Sequence, residues 1–246
     1  MKNIEQQKID MVQALLHAIY VFAGAIVVQI FGLSSGSLIY SLYDNKITYE
    51  EAFGILSGTL GSAPAGLIAV ADIVSAVMVL IYGLIIYIKI CGARTDNIRS
   101  ALRLKPALIA AAAGASSSII LTVLLTLISM IPGTDFSKYS SIVSDLSKLS
   151  VLNFLYVCLV GPVTEEVLFR GAIMKELSAG FSISAANALQ ALFFGIYHMN
   201  LIQGIYAFVL GIVLGITAHR GKSLMMPVVM HICFNVTSIL ITLIPF

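Results

Sequence analysis

Charge is scarce in this chain. Only 11% of the 246 residues are Asp, Glu, Lys or Arg, where soluble domains carry about a quarter. That shortfall excludes an ordinary soluble domain, because too few ionic side chains remain to solvate its surface. The net charge is +2, and no basic run is interleaved with aromatics, which excludes nucleic acid as a partner. Trp is absent, so any aromatic belt at a membrane interface must use the ten tyrosines. The three cysteines, Cys91, Cys158 and Cys233, are odd in number, widely spaced and form no CxxC pair. A disulfide framework and a thiolate zinc site are therefore excluded, and the cysteines read as small apolar packing residues. No HExxH is present, which removes the soluble zinc-protease helix.

Apolar sequence is what abounds. Hydrophobic residues make up 59% of the chain, and mean hydropathy is +1.00. Runs of about 20 apolar residues are long enough to span a bilayer as helices. The spacing predicts spans at Met11 to Leu33, within Ala65 to Ile90, and at Leu108 to Ile131. A fourth runs from Val151 towards Ser178, a fifth from Ile183 to Met199, a sixth from Leu201 to Ala218 and a seventh from Leu224 to Phe246. The expected fold is all-α, a polytopic transmembrane helical bundle of about seven spans. Six to eight is the range, because Glu51 to Pro64 is partly apolar and reads as a half-helix. No repeat or linker interrupts the chain, so 1–246 reads as a single membrane domain. The polar stretch Asp135 to Ser150 has the spacing of a short interfacial amphipathic helix.

Loop cations set orientation. Lys89, Arg94, Arg99, Arg103 and Lys105 cluster between spans two and three, Arg170 and Lys175 lie at or after the end of span four, and Arg220 and Lys222 lie between spans six and seven. With seven spans these fall on one side, which predicts a multi-pass protein of the cell membrane with its N-terminus in the cytoplasm. The first apolar run is too long for a signal-peptide core and has no small-residue cleavage site, so it reads as a retained span.

Within this apolar chain, Gly161-Pro162-Val163-Thr164-Glu165-Glu166-Val167-Leu168-Phe169-Arg170 stands out. An intramembrane charge costs about 2.5–3.5 kcal/mol on insertion scales, so such carboxylates are functional candidates. Glu166 and Arg170 are four apart and share a helix face. They read as a self-neutralising, positioning pair. Glu165 is rotated by about 100° and has no built-in partner, which makes it the candidate general base. Pro162 suggests a helix restarting there, with both glutamates in its first turn. Downstream, Phe194 and His198 share a face at spacing four, as do His231 and Asn235. Imidazole and amide on one intramembrane face are both unfavourable unless paired. They could hold a water, a metal or an oxyanion. His17, His219 and Asp72 read as bland interfacial or isolated residues.

Glu165-Glu166-xxx-Arg170, Phe194-xxx-His198 and His231-xxx-Asn235, in that order on successive apolar runs, resemble the CPBP family. That family groups type II CAAX prenyl proteases with bacteriocin-processing and self-immunity (Abi) proteins. The resemblance covers Val151 to Phe246, making 151–246 the catalytic core helices, while the first three spans match only in being hydrophobic. It implies an intramembrane endopeptidase acting on a membrane-associated peptide or protein, of CAAX or bacteriocin/pheromone type. By position, Glu165 activates water with help from His198, His231 and Asn235 stabilise the oxyanion, and Glu166 and Arg170, with Phe194, support the site. The resemblance leaves the metal open. Glu165, His198 and His231 could ligate zinc with an open position for water, or the same groups could act without metal. The second is favoured here, because Glu165 is needed as base. The implied partners are a peptide or lipidated protein substrate and membrane lipid. Oligomeric state is left open.

Two other readings compete: a non-catalytic membrane immunity or binding protein, and a small proton-coupled transporter. A binding module has no need of all six polar residues, and no inverted repeat supports transport. Helix arithmetic places His198 near the outer end of span five and His231 in the inner half of span seven. A shared site therefore requires tilted or broken helices, and Gly161-Pro162 is the expected break.

Overall fold

A computed structural model describes residues 4–44, 46–56, 64–91, 104–131 and 151–243. The expected amphipathic helix at Asp135 to Ser150 and the loop cations Arg94, Arg99 and Arg103 lie outside them. Among the described residues the secondary structure is helical throughout. The helices are α1 (Ile4–Tyr43), α2 (Tyr49–Leu56), α3 (Ala65–Cys91), α4 (Leu104–Ser129), α5 (Val151–Gly180), α6 (Ile183–Tyr197), α7 (Leu201–Gly221) and α8 (Met225–Thr242). Six are long and apolar enough to cross a membrane, and α6 is shorter. Large apolar side chains such as Val27, Phe31, Ile120, Leu127 and Val209 face outward. A soluble protein does not cover its helices this way, whereas a bilayer accepts it. The chain is a multi-pass membrane protein built as a helical bundle.

The first span is longer than expected. Helix α1 runs through Ser34-Ser35-Gly36-Ser37, where the polar residues suggested an end. It continues because Ser35 and Ser37 donate to the carbonyls one turn back, Phe31 at 2.8 Å and Leu33 at 2.9 Å. Gly36 and Gly32 also let α3 lie against it, since a Cβ at either would run into Ala71 or Ser75.

The expected break at Gly161-Pro162 is absent. Val160 and Gly161 keep right-handed helical angles, and α5 runs unbroken from Val151 to Gly180. Two π-helical stretches, Tyr156–Val160 and Glu166–Ile173, flank the short α-helical piece Gly161–Glu165. Widening the helix absorbs the proline instead of ending it. The Gly161 N–H bonds to Tyr156 O, five residues back. In that register the next carbonyl, Val157 O, faces the Pro162 nitrogen, which carries no hydrogen.

The depth conflict between His198 and His231 disappears for a different reason. Helix α6 has 15 residues, or about 22 Å of rise, less than the roughly 30 Å of a hydrocarbon core. Its C-terminal His198 therefore ends inside the bundle. Several helix ends gather on one side. Gly180 packs on Asp10 and Met11, Lys175 lies over the Tyr87 ring, and Gly171 meets Tyr87 and Leu224. The core that holds α5 in place is Leu168, Phe169, Ala172, Ile173 and Leu177 against Ala18, Val21, Val79, Ala186 and Phe194. Gly204 and Gly211 of α7 pack against Gly195 and Ala191 of α6, so both serve contacts within the chain.

Candidate active site

The two neighbouring glutamates have different surroundings. Glu166 is fully buried. Its Oε1 accepts from Arg170 Nη1 at 2.9 Å and from His231 Nδ1 at 2.9 Å. Arg170, 2% exposed, also donates from Nη2 to the Gly211 carbonyl at 3.2 Å, and its guanidinium lies 4.5 Å over the Phe194 ring. Arg170 is thus a core residue and no loop cation, which corrects its place in the orientation count. A buried pair of this kind persists because each charge is matched and hydrogen-bonded. Glu165 is different. Its side chain is 20% exposed, and Oε2 stands 3.6 Å from His231 Nε2, too long for a hydrogen bond. Among the described residues no lysine or arginine forms an ion pair with Glu165.

The imidazole hydrogens follow from their partners. A carboxylate only accepts, so Nδ1 of His231 carries the hydrogen bonded to Glu166. Its Nε2 then points at Glu165. His198 Nδ1 lies 2.8 Å from Phe194 O, another pure acceptor, so its Nε2 is left free. The ring of Phe194 joins the two. His198 meets it edge-on at 4.8 Å, His231 at 5.9 Å and Phe169 at 5.0 Å. Asn235, one turn past His231 on α8, donates from Nδ2 to Val157 O at 2.8 Å. This is the carbonyl that Pro162 leaves without a backbone donor. The same amide keeps a second hydrogen.

All seven residues picked from the sequence therefore gather on α5, α6 and α8. Residues missed from the sequence include Asn187 and Gln190, whose buried amides bond the α7 carbonyls of Ile212 and Gly211, the second shared with Arg170. Gln190, Phe194 and His198 stand at spacing four and four, a stripe legible in the run Ile183 to Met199. Tyr156 and Tyr197 lie within electrostatic range of the Glu165 carboxylate, and Asp72 within range of Tyr156. Thr164 donates to Val160 O at 2.8 Å and sits 3.3 Å from Ala76 O, fixing this level of α5 to α3. His17 is apart from the site, 3.5 Å from Glu176.

A zinc ion would need three protein donors converging on one point. Among the described residues no three His, Cys, Asp or Glu side chains do so. Glu165 and His231 approach each other and His198 lies against Phe194, but the three do not form one cluster. The set Glu165, His198 and His231 does not fit a metal in this arrangement.

The helices thus bury a carboxylate–guanidinium–imidazole chain beside a freer carboxylate. Residues 147–237, which include every residue of that site, match the family described as type II CAAX prenyl endopeptidase Rce1-like. The match bears out the resemblance read from the three motifs. The matched stretch, well under half of the chain, is similar to CAAX-type intramembrane endopeptidases. No curated protein and no solved structure gives a significant match.

Proposed function

We propose that this protein hydrolyses a peptide bond in a membrane-associated peptide or lipidated protein, with Glu165 as general base. The observation that carries the assignment is the contrast between the two glutamates. Glu166 is committed to Arg170 and His231, whereas Glu165 is partly exposed and 3.6 Å from a ring nitrogen.

A water activated by Glu165, with His198 assisting, gives up a proton to the carboxylate as its oxygen attacks the scissile carbonyl. The tetrahedral oxyanion needs donors. His231 supplies one when Nε2 is protonated, because its ring then presents N–H groups at both ends, one held by Glu166. In that form the charges of Glu165, Glu166, Arg170 and His231 sum to zero, which suits a water-poor site. The uncommitted N–H of Asn235 supplies a second donor, its amide being fixed by Val157. Glu165 then delivers the proton to the leaving amine. No step is routed through a metal.

The cations Lys89, Lys175, Arg220 and Lys222 mark the end where α1 begins, which favours a cytoplasmic N-terminus in a cell membrane. Lipid acyl chains would cover the outward apolar faces. The test is cleavage of a mixed library of prenylated and unprenylated C-terminal peptides in micelles, read by mass spectrometry. Products cut at one bond near the terminus support the reading. An intact library across both classes would favour the non-catalytic binding alternative.

A further inference from the structure

Two buried amides on α6 extend the site beyond the residues that carry the chemistry. Gln190 is fully buried and Asn187 is 7% exposed. Gln190 Nε2 donates to Asn187 Oδ1 at 2.8 Å and to the Gly211 carbonyl at 3.0 Å. Asn187 Nδ2 in turn donates to the Ile212 carbonyl at 3.0 Å. The Gly211 oxygen is the same atom that accepts from Arg170 Nη2. One carbonyl of α7 thus holds a side chain from α5 and another from α6.

The fit is close. A Cβ on Gly215 would run into the Asn187 amide and lie 2.9 Å from Gln190 Nε2. One on Gly211 would press on Ala191 at 3.0 Å and the Phe194 ring at 3.2 Å. Two further atoms point the same way. Arg170 Nε and Gln190 Oε1 are both buried with no hydrogen-bond partner among the described residues. One is a donor and the other an acceptor, on side chains that share an oxygen.

We propose that Gln190 is a positioning residue for the chain Arg170–Glu166–His231, steadied by Asn187. It holds the guanidinium at the Gly211 carbonyl, so that Arg170 Nη1 and His231 Nδ1 meet on the same Glu166 oxygen. Guanidinium is planar, so fixing one edge fixes the direction of the other. Without such a duty an amide here is unfavourable, because an apolar side chain would fill the space without desolvating polar atoms. Bonded to two carbonyls of α7, the pair of amides fixes the acceptor that Arg170 uses.

The inference rests on the proposed protease reading for its activity readout only. The test is Gln190→Met, similar in length but without the amide, in purified protein. Coupling within one polar network predicts a fall in kcat of about tenfold with KM little changed. In an Arg170→Lys background the same change should add less than about twofold, because lysine cannot bridge two acceptors in one plane. A packing role would add its full effect in both backgrounds. Independently of substrate, nitrogen-15 spectra of labelled histidines should show the hydrogen-bonded Nδ1–H of His231 held in one environment in wild type and averaged in Gln190→Met. Asn187→Ser reads the same quantities should Gln190→Met fail to insert. Unchanged kcat and spectra, or full additivity with Arg170→Lys, would overturn the proposal. A changed His231 spectrum in a protein that cleaves nothing would uphold the positioning role and remove the protease reading.

Discussion

His231 Nδ1 lies 2.9 Å from Glu166 Oε1, across 65 residues of sequence. The bond ties α8 to α5 and decides which nitrogen of His231 faces Glu165. In the proposed mechanism Glu166 would act through the imidazole it orients, and Arg170 through Glu166.

Arg170 should be needed for folding before it is needed for catalysis. Arg170→Ala strands a buried carboxylate, and breaking a buried pair costs about 3–5 kcal/mol. Thermal unfolding in micelles should show a large loss for Arg170→Ala. The double variant Glu166→Gln with Arg170→Met should recover a good part of that stability without recovering cleavage. Equal instability in both would contradict the charge argument.

Asn235 and Pro162 should be coupled. Asn235→Ala leaves Val157 O buried without a donor, at about 1–3 kcal/mol. Pro162→Ala restores a backbone N–H at the position facing that carbonyl. The stability loss of Asn235→Ala should therefore shrink in the Pro162→Ala background, as a double-mutant cycle would measure. Strict additivity would mean that Val157 finds its partner elsewhere. Activity should stay low in the double variant, since the second amide hydrogen is gone.

The third expectation concerns a glycine far from the chemistry. Helices α4 and α8 touch at Gly114, where a Cβ would collide with the Met230 carbonyl, the residue before His231. Gly114→Val should destabilise by about 1–3 kcal/mol through overpacking. It should also lower kcat of the folded fraction, because α8 must shift with His231 on it. A variant that loses stability but keeps full kcat would show that α8 can move without disturbing the site.

Chelation should leave activity intact. The donors Glu165, His198 and His231 do not converge on one point, so dialysis against a strong chelator is expected to change kcat little. Loss of cleavage restored by stoichiometric zinc would mean that the side chains rearrange around a metal.

Much of this was legible in the sequence, for physical reasons. Apolar runs of spanning length can do little but form helices in lipid, so the bundle followed from hydropathy. Charge in such a run must be matched, so Glu166 with Arg170 could be paired on spacing alone. What stayed hidden depended on helix-to-helix register. Proline at 162 suggested a break, but π-helical widening and an amide from α8 absorb it. The polar tract after Leu33 suggested an end to α1, but its serines bond their own helix. Gln190 was overlooked because its role rests on a carbonyl in the next helix, which no local spacing reports.

Whether Glu165 is the base is decided by one comparison. Glu165→Gln keeps the shape of the side chain and removes its capacity to take a proton. Wild type and Glu165→Gln, matched for thermal unfolding, would be assayed in single turnover on a cleaved library peptide. A loss of about 10²–10⁴-fold in the rate of bond cleavage is expected. Cleavage by Glu165→Gln within a few-fold of wild type would contradict the account and move the chemistry to another group.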